Sequence, residues 1–208
     1  MKLRVHFLIW FFIAIPKLYA ANLPDDAWRK IRAGEIWVRE LAAPTAPTRQ
    51  FEAVALTQAN VAEFERVLLD FSRYPQFMPH VTRVTIVRQT TQQTELEYSL
   101  GLPLGITKKY RLAMTHRTLK NGFELAWRKI AWPGLEDAES IRDTQGVWRV
   151  TVDTQRGDQV LVDYIVATDP GDIPFGVGWV ADMLSKQSVP EVVEKTRARV
   201  VQQRGARK

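Results

Sequence analysis

The strongest pattern in the chain is a period of two through residues 81–167. Leu96, Tyr98, Leu100 and Leu102 share one parity. So do Tyr110, Leu112 and Met114, then Phe123, Leu125 and Trp127, then Trp148, Val150 and Val152, and finally Val160, Val162, Tyr164 and Val166. Glu95, Glu97, Lys109, Arg111, Glu124, Arg128, Arg149, Thr151 and Asp153 take the other parity. Such alternation predicts about six antiparallel strands with one buried face and one wet face. Val84 and Ile86 open the series on the buried face. Gly101-Leu102-Pro103-Leu104-Gly105, Lys120-Asn121-Gly122 and Arg156-Gly157-Asp158 supply turn chemistry at the joints. Two further strands are expected upstream, at residues 35–41 and 51–57. Before them Asp25 or Asp26 caps a short helix that Gly34 ends.

A period of 3.6 appears twice. Asn60-Val61-Ala62-Glu63 has the form of a capping box. Val61, Phe64, Val67, Leu68 and Phe71 follow it on one helical face. A longer helical segment is expected from about residue 174 to 204. Its first half holds Phe175, Trp179, Val180, Met183 and Leu184; Pro190 kinks or restarts it; Val189, Val192, Val193, Thr196 and Val200 form the second stripe. A curved sheet with one apolar face needs a cover, and this is the apolar element long enough to supply it. The patterning therefore implies an α+β helix-grip arrangement: a curved antiparallel β-sheet wrapped around a long C-terminal α-helix.

Residues 70–81, Asp-Phe-Ser-Arg-Tyr-Pro-Gln-Phe-Met-Pro-His-Val, join the first apolar helix to the sheet. Pro75 lacks a backbone N–H and disfavours a helical Tyr74, so the helix is expected to stop there. Phe77 and Met78 lie between Pro75 and Pro79. Bulky side chains in such a connector either plug a core or form the rim of a cavity.

Composition narrows the function. Cysteine is absent, which removes disulfides, thiolate catalysis and Cys-ligated metals. The formal net charge is +6, but the excess sits at the ends. Lys2, Arg4 and Lys17 precede residue 22, and Arg197, Arg199, Arg204, Arg207 and Lys208 fall in residues 197–208 without an acid among them. The body between is slightly acidic, unlike a nucleic-acid binder with its basic face on the fold, so no nucleic acid is expected. The basic end reads as a solvated helix terminus, or as a peripheral contact with anionic lipid. Lys2 and Arg4, the apolar run at 5–15 and the small residues Ala20 and Ala21 match a secretory signal. The expectation is export, to a periplasm, with cleavage after Ala20; an uncleaved anchor is the alternative.

The connector resembles the "D-x-x-x-Y-P-x-F-x-P" segment of the START-like (SRPBCC, helix-grip) superfamily, and within it the polyketide cyclase/dehydrase and coenzyme Q-binding branch. Gly146-Val147-Trp148, Val162-Asp163-Tyr164 leading to Asp169-Pro170, and a last helix beginning near Pro174 are similar to it as well. The resemblance spans roughly residues 51–201. It implies a deep apolar cavity between the sheet and the last helix, and a hydrophobic small-molecule ligand such as a lipid or quinone. Some members catalyse cyclisation or hydrolysis. The chain divides accordingly into a signal peptide (1–20), an N-terminal extension with a short helix and strand (21–50), a START-like ligand-binding domain (51–204) and a basic tail (205–208).

The candidate lining residues are Phe77, Met78, Tyr98, Tyr110, Trp127, Trp148, Tyr164, Phe175, Trp179 and Met183. Large apolar bodies with a few phenol and indole tips suit a hydrophobic ligand. His80 and His116 lack metal-ligand spacing, and no nucleophile or phosphate-binding motif is present, so no metal, cofactor or catalytic residue is expected. Glu136, Asp137 and Glu139 read as a solvated loop, and Lys108 as a cation that snorkels to water beside the Gly105 turn. The alternative is a cyclase- or hydrolase-type enzyme using the same cavity, for which Tyr98 or Tyr110 with His116 or Lys108 is the best acid–base pair the sequence offers. A third reading is an interaction module using the outer sheet face or the tail.

Overall fold

A computed structural model describes residues 23–42, 48–171 and 187–206. Among the described residues three α-helices, α1 (Asp25–Arg32), α2 (Val61–Leu69) and α3 (Ser188–Gly205), accompany eight strands. The strands are β1 (Trp37–Leu41), β2 (Arg49–Thr57), β3 (Val81–Gln89), β4 (Thr94–Gly101), β5 (Thr107–Leu119), β6 (Gly122–Ile130), β7 (Asp143–Val152) and β8 (Val160–Asp169). They form one antiparallel sheet in the order β1-β2-β8-β7-β6-β5-β4-β3. From β3 to β8 each strand pairs with the next, as short turns dictate. β8 then pairs along β2, and β1 pairs with β2 as part of the same sheet. α2 and the connector carry the chain from β2 to the far edge at β3.

The period-two parities sort as expected onto two faces. The inner face carries Leu96, Leu112, Phe123, Leu125, Val150 and Val162, all buried in one core with Phe64, Val67 and Leu68 of α2 and Val189, Val193 and Val200 of α3. α1 packs on the outer face, where Ala27 and Ile31 meet Val54, Leu56 and Leu161.

The capping box at α2 is complete: Glu63 N donates to the Asn60 carbonyl oxygen of the side chain at 2.9 Å, and Asn60 N donates to the Glu63 carboxylate at 2.9 Å. At α1 the expected aspartate cap is absent. Pro24 holds the cap position without a side-chain bond, and Asp25 and Asp26 lie in the first turn, where their charge favours the helix dipole. The break after α2 also differs from expectation. It falls at Asp70 (ψ 66°), and a 3-10 helix over Phe71–Gln76 runs through Pro75. Within this tighter helix Tyr74 turns inward and its hydroxyl donates to Leu68 O at 2.6 Å. Ile86 is 46% exposed rather than buried, because β3 is the sheet's edge.

Pro190 stands in the first turn of α3, where a missing N–H costs no intrahelical bond. Val189, Val193, Thr196 and Val200 face the core as the stripe predicts. The first half of the expected helix, with Phe175, Trp179 and Met183, lies outside the described residues, as do the signal at 1–20 and the last two residues of the tail. Three arginines of the basic end also make exposed contacts with the body: Arg197 to Gly34 O, Arg199 to the Gln76 side chain and Arg204 to Gln58 O. No described helix is long and apolar enough to cross a membrane.

Candidate ligand cavity

Between the inner sheet face, the connector and the first turns of α3 lies a cavity of about 150 Å³. Strand parity positions most of its wall. Tyr98 on β4 and Tyr110 on β5 are paired directly across the ladder, and their rings stack 5.3 Å apart. Trp148 on β7 and Tyr164 on β8 are likewise paired, with ring centroids 4.2 Å apart. Trp127 on β6 stacks on Tyr164 at 5.7 Å. The indole reaches across β7 because Gly146 lies opposite Trp127 in the ladder; a Cβ there would collide with the Trp127 ring and with Ile165 O. Two residues of the Gly146-Val147-Trp148 run thus shape the wall, one by its ring and one by having no side chain.

The connector closes one side. Tyr74, Met78, Pro79 and His80 line the cavity, and Tyr74 packs edge-on to Tyr98 at 6.4 Å. Thr196 Oγ1 donates to Val192 O and lies 3.9 Å from Met78 Sδ, which couples the connector to α3. His80 holds a left-handed backbone (φ 61°), uncommon for a side chain with a Cβ. Its carbonyl accepts from Gly101 N, locking the connector's end to β4.

Of the candidate lining residues, Met78, Tyr98, Tyr110, Trp127, Trp148 and Tyr164 come together around the cavity. Phe77 does not: its ring packs edge-on against Tyr74 at 5.5 Å, behind the wall. Tyr74 of the 3-10 turn and Met78 beyond it face the cavity, and Phe77 between them packs against Tyr74. Phe175, Trp179 and Met183 lie outside the described residues. Ile141, Thr144, Thr168 and Ser188 also line the cavity and were not singled out. The signal for two of them was present: Thr144 shares parity with Trp148, and Thr168 with Tyr164. These threonines face each other across β7 and β8, with hydroxyl oxygens 3.1 Å apart.

The polar groups of the cavity are mainly phenols. Tyr98, Tyr110 and Tyr164 are buried, and burial pushes each hydroxyl's pKa well above the ordinary tyrosine value. They are therefore neutral donors at physiological pH. None of the three hydroxyls has a hydrogen-bond partner among the described residues, whereas Tyr74 has Leu68 O.

The acid–base pair of the enzyme alternative is not assembled. His116 Nε2 lies 2.6 Å from Glu65 Oε1, with its ring against Phe123 and away from the cavity wall. Lys108 does not snorkel to water. It is 5% exposed and donates to Ala138 O at 2.9 Å and Ser140 O at 3.1 Å. The lysine pins the loop after Pro133-Gly134, and Glu139 of that loop pairs with Lys109 at 3.6 Å. Among the described residues there is no cluster of three or more metal-ligating side chains.

Comparison with known proteins rests on structure. No family model and no curated protein sequence matches the chain. Solved structures do. A STAR-related lipid transfer protein from Xanthomonas axonopodis superposes with a TM-score of 0.67 at 19% identity, covering 79% of this chain and 93% of that one. The fold is that of the START-like superfamily. A human StAR-related lipid transfer protein 5 superposes at TM-score 0.63 and 10% identity over 86% of this chain and 91% of its own. The Zhui aromatase/cyclase from Streptomyces sp. R1128 gives 0.58 at 12% identity over 74% of this chain and 93% of its own. The START-like fold thus hosts proteins named for lipid transfer and for aromatase/cyclase chemistry, so function has to be argued from the site.

Proposed function

We propose that the protein is an exported carrier that sequesters a hydrophobic small molecule bearing acceptor oxygens, such as a quinone or a lipid ester. The observation that carries this reading is the cavity wall itself: tryptophan, tyrosine and aliphatic surface around three neutral phenols whose hydroxyls keep some exposure in the cavity and have no hydrogen-bond partner among the described residues. A ligand that displaces solvent from such a hydroxyl is penalised unless it accepts the hydrogen bond itself. A hydrophobic ligand with carbonyl or ester oxygens supplies that acceptor, and a cation or a bare hydrocarbon does not. Burial of apolar area gives the affinity, at about 25 cal/mol per Å², and the phenols orient the head group.

The volume adds a condition. A cavity of about 150 Å³ is the size that holds one benzene-like ring. A ring or head group fits; a long chain enters only if the connector or the start of α3 moves. The Met78–Thr196 contact is where these two elements separate. The export part of the proposal rests on the signal-like residues 2–21, and peripheral membrane contact during loading rests on Leu104, 76% exposed on the loop after β4.

Native mass spectrometry of protein purified from a membrane-containing extract tests the reading, together with titration of a short-chain ubiquinone monitored by tryptophan fluorescence. A bound hydrophobic species is expected, and quinone affinity should fall about threefold to tenfold for each of Tyr98→Phe, Tyr110→Phe and Tyr164→Phe, the net contribution of one hydrogen bond. Empty protein that takes up neither quinone nor lipid would sink it. Export is checked by the N-terminus of protein recovered from the periplasm, expected at Ala21.

A further inference from the structure

A second void lies along the later turns of α3, on the far side from the cavity's opening turns. It measures about 730 Å³, within the range of small-molecule sites. Its floor is apolar, with Ile31 of α1, Leu56 of β2, and Ala198 and Val201 of α3. Its walls carry Arg32, Arg156 and Arg197, with Asp153 and Glu194.

The cations are only partly neutralised. Arg32 donates to the neutral Gln155 side chain at 2.8 Å. Arg197 donates through both terminal nitrogens to Gly34 O at 3.3 Å and lies 3.6 Å from an exposed Glu194 carboxylate. Arg156 has no side-chain partner among the described residues. The bonds to Gln155 and Gly34 draw the three arginines toward one another, since Gln155 adjoins Arg156 and Gly34 is two residues from Arg32. Asp153 accepts from Gln155 N at 3.1 Å and so shapes the loop before β8.

Two buried polar atoms in the same wall lack partners. Thr57, 3% exposed at the end of β2, has an unbonded Oγ1, and Gln159 has an unbonded Oε1. Buried polar atoms in native folds are nearly always paired, so these two, in residues that line the groove, are available to a group that enters its wall. A guanidinium is matched in shape and charge by a carboxylate or phosphate. A hydroxyl can donate to such an anion, while Gln159 Oε1 can accept only from a donor.

From this geometry we infer a second ligand site: the groove between α1, the end of β2, the loop before β8 and α3 binds a hydroxyl-bearing organic anion, with carboxylate or phosphate at the arginines and its hydroxyl donating to Gln159 Oε1. The anion is either a free metabolite-sized acid or the head group of an anionic lipid, and both present the same chemistry to Arg32, Arg156 and Arg197.

Isothermal titration with citrate and with glycerol phosphate, at fixed ionic strength, tests the free anion, and flotation with phosphatidylglycerol vesicles tests the head group. The variants are Arg156→Gln, which alters an unpaired surface side chain, and Thr57→Val, which is close in shape and removes only the orphan hydroxyl. Binding of at least one probe is expected, weakened about tenfold by Arg156→Gln, the effect of a lost charge-assisted bond, and severalfold by Thr57→Val. Quinone uptake in the aromatic cavity should be unchanged in both variants, so failure here and failure of the carrier reading are separable. No binding of any probe, or binding that neither variant alters, overturns the proposal.

Discussion

The two faces of the sheet hide polar groups in opposite ways. The inner face carries three phenols that stay neutral and have no partner among the described residues, next to open space. The outer face buries carboxyls and surrounds them with arginines. Glu52 is 0% and Asp163 2% exposed. They belong to a transverse line of charges: Arg39 on β1 pairs with Glu52 on β2, Asp163 on β8 with Arg149 on β7, and Arg149 with Glu124 on β6, which also takes Arg117 from β5. Each of these ion pairs is also a directly opposed pair in the strand ladder. A phenol can wait unpaired beside a void because it carries no charge. A carboxylate at the same burial needs a cation. The phenols of the inner face therefore point to something that binds, and the ion pairs opposite point to something that holds the sheet together, although Glu52 Oε1 and Asp163 Oδ1 have no partner of their own among the described residues.

The largest expected effect removes an inner-face wall. Trp148→Ala takes away a side chain that touches Phe64 and Tyr164, and should cost about 3–5 kcal/mol of unfolding free energy in urea melts, the range for buried tryptophan truncation. A loss under about 1 kcal/mol would show that the cavity is already loose enough to absorb the deletion.

Next comes the outer line. Arg149→Met leaves Asp163 buried without its cation and should cost about 3 kcal/mol at pH 8. The cost should shrink at pH 5. Burial, and then the neighbouring Glu52 carboxyl, push the Asp163 pKa up to about 7, so at pH 5 the group is neutral and needs no cation. A cost that is the same at both pH values would break the contrast between the faces.

The smallest effect is a change of slope. A carboxyl whose folded-state pKa lies above its unfolded value favours the folded state below the unfolded value, near 3.8, and that contribution is lost as pH rises through about 7. Stability of the parent protein should fall over that window relative to Asp163→Asn. Parallel stability–pH curves for the two proteins would show that Asp163 is not the group that titrates.

Much of this was legible along the chain. The capping box at Asn60 and Glu63, the six alternating strands and the inward stripe of α3 are local patterns, and local sterics and burial decide them. Six of the cavity's aromatic and sulfur-bearing residues follow from the same parity. Other features depended on neighbours remote in sequence. Parity alone marked the outer face as wet, yet Glu52 and Asp163 are sealed in because arginines of β1 and β7 lie directly beside them. Lys108 appeared free to reach water, and only the folding of the 137–140 loop over it offered two carbonyls. The helix before the connector stopped at Asp70 rather than at Pro75, and the chain tightens there into a 3-10 turn from which Tyr74 reaches Leu68 O.

The sequence by itself determined which residues face inward, since a strand alternates and a helix repeats whatever lies around it. Only the tertiary structure decided which of those inward and outward groups are satisfied. Hydrogen bonds and ion pairs across the sheet join residues tens of positions apart, and the choice between a paired carboxyl and a waiting phenol exists only once the strands are in register.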